Sequence, residues 1–308
     1  MRRTKRKQNF RGKLKKKKTV RKIKTKVMTE EIIKGGELIG QGTHGKIFVS
    51  KENRAQVIKI FKNRVFKPIT SLCNRIKKYY NSTCDELDYE YNIQKIISDS
   101  LKQEKINIQV PIAYNYNKTN DDCYYIMDRI YPLQNKLLLV DMTDGHTNNN
   151  IIDVGIQTGY LEICIYLSIT PKILARRIGE LFSFLHFRMN LDGYDCELIL
   201  GKKSESAGDS QLFLIDFDKV SCFDFTSKEQ ILHRKISEEY FEEKIIKTPQ
   251  KMAVFLFGSF ISMSLLPFEP ELKYEFLQGY NKYSNNKNEF EVEVKNNIAK
   301  LVNEYMIT

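Results

Sequence analysis

A lysine in the middle of an apolar strand, just after a glycine-rich turn, is the feature that most limits what this chain can become. Leu38-Ile39-Gly40-Gln41-Gly42-Thr43-His44-Gly45-Lys46-Ile47 reads as a strand, a tight turn and a returning strand. Lys59 follows inside Val57-Ile58-Lys59-Ile60-Phe61. An ammonium among apolar neighbours is costly unless paired. The spacing predicts that pairing with a carboxylate on the next helix, Glu90, with Glu86 in reserve. Gly40, Gly42 and Gly45 would let backbone approach a phosphate closely. A dinucleotide-binding turn would lead into a helix, whereas Lys46 to Ser50 reads as a strand. The plainer alternative is an ordinary hairpin followed by an edge lysine reaching for water.

Acids gather far downstream. Asp192 and Glu197 stand five apart, and the apolar run Leu212-Phe213-Leu214-Ile215 ends in Asp216. Hard cations such as magnesium take oxygen ligands, and one or two carboxylates suffice when phosphate oxygens supply the rest. Glu197 and Asp216 are the candidate metal ligands. Asp192 is the candidate acceptor of a proton. Helix capping and surface charge are the alternative use of such acids.

The net charge of +12 is unevenly placed. Residues 1–27 hold 15 of the 50 basic residues and no acid, leaving 35 bases against 38 acids in the remainder. Such a leader cannot bury apolar surface, and its dense charge suits nucleic acid or another polyanion. The six cysteines are scattered singly, without metal-ligand or disulfide-framework spacing, which points to a reducing, intracellular compartment. The charged start resembles no secretory signal. The apolar stretch Met252 to Leu266 is too short to span a bilayer and reads as a buried helix.

The order of elements predicts an α+β chain. Glu37 to Ile60 reads as three short strands, Asp85 to Leu101 as a helix, and Val110–Tyr114 and Cys123–Met127 as two more strands. Segment 141–159, rich in Asn, Thr and Gly, reads as an insertion. Thr170-Pro171 is a helix start, followed by Leu174, Ile178, Leu181, Phe182 and Leu185 at helical spacing. After Asp216 the pattern is mostly helical.

Glycine turn, strand lysine, spaced acids and a strand closed by aspartate follow one another in the order that protein kinases use. The resemblance implies a two-lobed kinase-like fold: a basic tail over 1–27, a five-stranded lobe with one helix over 28–130, and a mainly helical lobe over 131–308. It implies ATP and magnesium as cofactors, Lys59 and Asp192 as catalytic groups, Gly40, Gly42, Gly45, Lys59, Glu90 and Asp128 around the nucleotide, and Glu197 and Asp216 on metal. There are departures. Asn190-Leu191-Asp192 stands for His-Arg-Asp, Glu197 for asparagine, and Asp216-Phe217-Asp218 for Asp-Phe-Gly, and no Ala-Pro-Glu follows. A catalytically impaired nucleotide-binding scaffold is therefore the alternative to a phosphotransferase.

The runs Asp128-Arg129-Ile130-Tyr131-Pro132-Leu133, Leu185-His186 and Asp192 to Gly201 also resemble a family of uncharacterised fungal proteins sometimes labelled zinc-finger-like. The Lys, Asn and Ile bias is similar to that of proteins of AT-rich giant viruses. For such a protein the compartment would be host cytoplasm, nucleus or virion.

Deletion of residues 1–27 is expected to abolish salt-sensitive polyanion binding while melting temperature stays unchanged. Affinity of the full chain for duplex DNA or anionic vesicles should fall steeply between low and physiological salt, roughly by a power law in salt concentration. Equal affinity of the truncated chain at matched salt would place the basic surface on the folded body.

Overall fold

The computed structural model describes residues 36–41, 45–62, 83–104, 106–133, 137–143, 155–225, 230–235, 241–284 and 288–305. Among them the chain is α+β, with six α-helices, a five-stranded sheet, a four-stranded sheet and a two-stranded hairpin. The leader and Gly42 lie outside the described residues.

The first sheet has the order β1 (Leu38–Gln41), β2 (Gly45–Val49), β3 (Gln56–Lys62), β5 (Asp122–Asp128), β4 (Ala113–Lys118), antiparallel throughout. Lys59 sits opposite Ile47 on one side and Tyr125 on the other. A Cβ at Gly45 would lie 2.2 Å from the Phe61 ring and 2.7 Å from the Ile60 carbonyl oxygen, so β2 packs this closely on β3 only as glycine. Helix α1 (Thr83–Glu104) covers one face through a small core of Phe61, Cys84, Leu87, Ala113, Cys123 and Tyr125.

That core contains a correction. The scattered cysteines gave no sign of a disulfide, yet Cys84 and Cys123 are joined across 39 residues. The helix start and β5 meet only through packing, so sequence spacing could not announce it. Closing a loop of that length removes unfolded-chain entropy worth about 4 kcal/mol in the chain-entropy model. Among the described residues no helix is long and apolar enough to cross a membrane.

After α1 the chain runs along the second sheet. Gln109 forms a parallel bridge to Phe213, its N–H donating to the Leu212 carbonyl at 2.8 Å and its carbonyl accepting from Leu214 N–H at 2.8 Å. Committing Gln109 there delays β4 to Ala113, later than the predicted start at Val110. The second sheet has the order β7 (Gly155–Gly159), β6 (Leu137–Asp141), β8 (Glu197–Gly201), β9 (Gln211–Ile215). Strand β7 runs parallel to β6, so part of the segment read as an insertion is sheet. The buried Asp141 carboxylate accepts from Thr143 N–H at 2.8 Å, from the Thr143 hydroxyl at 2.6 Å and from the Gln157 amide, bracing the two strands.

The helices follow from caps and apolar spacing. Helix α2 (Tyr160–Leu167) precedes α3 (Pro171–Ser183), whose cap Thr170 accepts from Ile173 N–H at 3.3 Å with Pro171 in the first turn. Thr248 and Pro249 repeat that start for α4 (Pro249–Ser262). Helices α5 (Pro270–Tyr280) and α6 (Glu289–Glu304) complete the main core, centred on Phe182, Phe260, Phe276 and Tyr280. One element departs from the helical reading after Asp216: β10 (Gln230–Lys235) and β11 (Phe241–Ile246) pair in register, Arg234 opposite Glu242.

Helices α3 and α5 meet at two glycines. A Cβ at Gly179 would stand 2.0 Å from the Phe276 carbonyl oxygen, and one at Gly279 would stand 2.1 Å from that of Arg176. Both contacts are to backbone, which cannot swing aside. Gly179→Ala is expected to cost about 1–3 kcal/mol by overpacking, read as a lower urea midpoint with an unchanged slope. An unchanged midpoint would show that the helices part freely.

Candidate functional site: a cleft lined by two lysines and five acids

The two sheets face a cavity of about 340 Å³ lined by Gly40, Gly45, Lys59, Glu90, Asp128, Glu197, Asp216, Asp218 and Lys219 among others. Apolar Ile39, Ile47, Val57, Met127, Ile130, Leu137, Ile199 and Ile215 form its walls. Strand alternation places Val57 and Lys59 on the same side of β3.

Lys59 Nζ meets Glu90 Oε1 at 2.6 Å and Asp216 Oδ1 at 3.5 Å. The Lys59 and Glu90 side chains are only 15% and 2% exposed, so this pair is largely removed from water. Burial opposes the Lys59 charge, but Glu90, Tyr125, Asp216 and Asp218 outweigh it and hold its pKa well above the ordinary value. Burial also lifts the Glu90 carboxyl, against the pull of Lys59. Tyr125, which sequence reasoning missed, donates to the Glu90–Gln94 pair, at 3.2 Å to Glu90 Oε1 and 3.0 Å to Gln94 Oε1. Its sequence signal was weak: one tyrosine among four in adjacent strands, set apart only by facing Lys59 in register. Glu86 is buried on the same helix.

Glu197 opens β8 and Asp216 follows β9, in strands that pair Glu197 with Ile215. The Glu197 Oε2 atom is buried with no hydrogen-bond partner. Burial first, then Asp216 and Asp195, push the Glu197 pKa from the ordinary 4.5 up to about 8. Asp216 adopts φ 64°, Asp195 φ 63° and Asn190 φ 55°, left-handed conformations that non-glycine residues seldom take. Of these Asp216 lines the cleft, where local strain of this kind is often held. Among the described residues no group of three or more His, Cys, Asp or Glu side chains is arranged to hold a metal alone.

Asp192 is the acid that the sequence offers as a proton acceptor. It is fully buried, and its Oδ1 accepts from Ser221 N–H at 2.8 Å and Tyr194 N–H at 3.1 Å. Its carboxylate therefore braces the turn against the segment after β9, where Leu191 also bridges Cys222. His186 supports the same turn from below. Its Nε2 lies 3.1 Å from the Asp192 carbonyl, which can only accept, so Nε2 carries the proton and Nδ1 accepts from the Tyr280 hydroxyl at 2.7 Å. Burial lowers the His186 pKa to about 3, which keeps the ring neutral. The acid of this turn nearer solvent is Asp195, paired with Lys219.

Asp128 lines the cleft, but its carboxylate accepts from Ile112 N–H at 3.1 Å and from the Tyr114 hydroxyl at 2.5 Å. It fastens the start of β4 to the end of β5. Gly40 and Gly45 flank the cleft on β1 and β2. No protein-family model matches this chain, and no curated protein matches it in sequence.

A raised carboxyl pKa has a definite sign in stability. Between about 4.5 and about 8 the folded chain keeps a proton on Glu197 that the unfolded chain releases. The wild type should therefore lose stability relative to Glu197→Gln as pH rises through that window, by up to a few kcal/mol. The two should run parallel above pH 8. Urea midpoints measured from pH 5 to pH 9 check this, and parallel curves throughout would mean that Glu197 ionises freely.

Proposed function

We propose that this chain is an atypical protein-kinase-like protein of two lobes, whose cleft binds ATP with magnesium for phosphoryl transfer to an acceptor. The observation that carries the reading is the buried Lys59–Glu90 pair at 2.6 Å, with Asp216 3.5 Å from the same ammonium, under a glycine hairpin. A desolvated ion pair seldom adds stability over apolar packing, so its retention at a cleft favours a ligand. Gly40 adds to this. A Cβ there would meet only Ile47 at 3.7 Å, an ordinary contact, so the fold itself makes no demand for glycine, whereas a close phosphate would.

Each group has a role on this reading. Lys59 holds phosphate oxygens, and Glu90, anchored by Tyr125, orients Lys59. The apolar walls at Ile39, Val57, Met127 and Ile199 accept the base. Glu197 and Asp216 fit magnesium: one has a buried oxygen lacking a partner, the other stands at the end of the neighbouring strand. Two carboxylates, with phosphate oxygens and water, make the ligand set this cation favours. Magnesium, when bound, would neutralise charge on the phosphates.

The burial of Asp192 favours a second reading, a nucleotide-binding scaffold with impaired transfer, tethered to nucleic acid or a partner by residues 1–27.

Thermal-shift titration tests nucleotide binding. ATP and magnesium together should raise the melting temperature more than either alone, in line with about 2.7 kcal/mol at one hundred times Kd. Lys59→Met, destabilised by the stranded Glu90 carboxyl but still folded by circular dichroism, should lose most of that response. No response in the wild type at millimolar ATP and magnesium would sink the reading. Binding without ADP production in the presence of candidate acceptors would move the conclusion to the scaffold.

A further inference from the structure

The cleft is lined by a second lysine with a different kind of partnership. Lys59 is locked to a carboxylate that is only 2% exposed. Lys219 lines the same cavity, yet its ammonium pairs with Asp195, and the two side chains are 25% and 35% exposed. Asp195 and then Asp218 and Asp216 hold the Lys219 pKa up against its partial burial. An ion pair that open to water contributes little, so either partner changes its contact at small cost. Lys219 lies three residues beyond Asp216, while Lys59 meets Asp216 directly. Asp216 thus has one lysine held against it, and a second, less tightly held lysine lines the same cavity.

Resting on the nucleotide reading above, we propose that Lys219 is the cleft's second phosphate-binding group. It would leave Asp195 to contact the terminal phosphate of a nucleoside triphosphate, while Lys59 serves the inner phosphates. The geometry favours this division. Lys59 belongs to the glycine-hairpin sheet, whereas Lys219 is tied to the turn that carries Asp195, beside Glu197. On this proposal a triphosphate runs from the hairpin past Asp216, with its last phosphate at Lys219. A terminal phosphate, bearing the largest charge of the triphosphate, would make a charge-assisted hydrogen bond with the partly exposed ammonium in place of the Asp195 carboxylate. Lys219 is then a specificity-determining residue that favours triphosphate over diphosphate, a role that sequence order alone assigned to no residue.

The test is isothermal titration of the full-length chain with magnesium and either a β,γ-imido triphosphate analogue or ADP. Lys219→Gln is expected to weaken the analogue about tenfold, as loss of one charge-assisted contact would, while ADP affinity stays within about twofold. Lys219→Arg should recover most of the loss. Asp195→Asn should tighten the analogue, because the lysine loses its competing partner. Melting temperatures of the variants confirm that each is folded. Equal affinity of wild type and Lys219→Gln for both ligands overturns the assignment and leaves the nucleotide reading standing. Equal weakening of both ligands overturns it too, since Lys219 would then act on the whole site. Absence of binding of either nucleotide to the wild type defeats both proposals together.

Discussion

Everything at the cleft depends on the cost of holding an ammonium away from water. Lys59 can stay charged on an apolar strand only because Glu90 meets it at 2.6 Å, and Glu90 can stay on a buried helix face only because Lys59 is there. Removing one partner from such a pair leaves an uncompensated charge, a penalty of about 3–5 kcal/mol. The pair therefore dictates where α1 lies, and the small core around Leu87 and Tyr125 fills in behind it. Tyr125 spans the gap between strand and helix by its hydroxyl, which turns a two-body contact into a network. Hydrogen-bonded networks of this kind define geometry more sharply than apolar contacts do.

The acidic side obeys the opposite logic. There the groups repel one another, and backbone amides, a lysine and a retained proton supply the compensation. Asp192 gives its charge to two amides, Asp195 to Lys219, and Glu197 keeps a proton at neutral pH. Three residues in left-handed conformations hold the arrangement in place. Stability is thereby lent to a local geometry that an ordinary loop would relax.

Much of the fold was legible because its signals are local. Alternation along β3 and β5, the Thr170-Pro171 start of α3 and the 3.6-residue spacing after it are each written in a handful of neighbours. The Lys59–Glu90 contact was legible for a different reason: a buried charge leaves only a few nearby acids to choose among. Three things were not legible. The Cys84–Cys123 bridge and the Gln109–Phe213 bridge join segments that meet only once the core is formed. Strand β7 pairs in parallel with β6, and a parallel partner leaves no turn signature between them. The spacing of Asp192 and Glu197 did not foretell that the Asp192 side chain is fully buried, since five residues of separation say nothing about which side chain the backbone turns inward.

Helix α1 is fastened at several points along its length. Cys84 bonds it covalently to β5, Tyr89 donates to the Val220 carbonyl at 2.9 Å, Glu90 holds Lys59, and the chain beyond its end is stitched to β9. The helix is therefore a shared ruler for both halves of the cleft. A rod pinned at one end and measured against at three other places cannot drift without every gauge reading the change. Disarming the site by swinging this helix outward would require the bridge, the tyrosine contact and the ion pair to yield in concert.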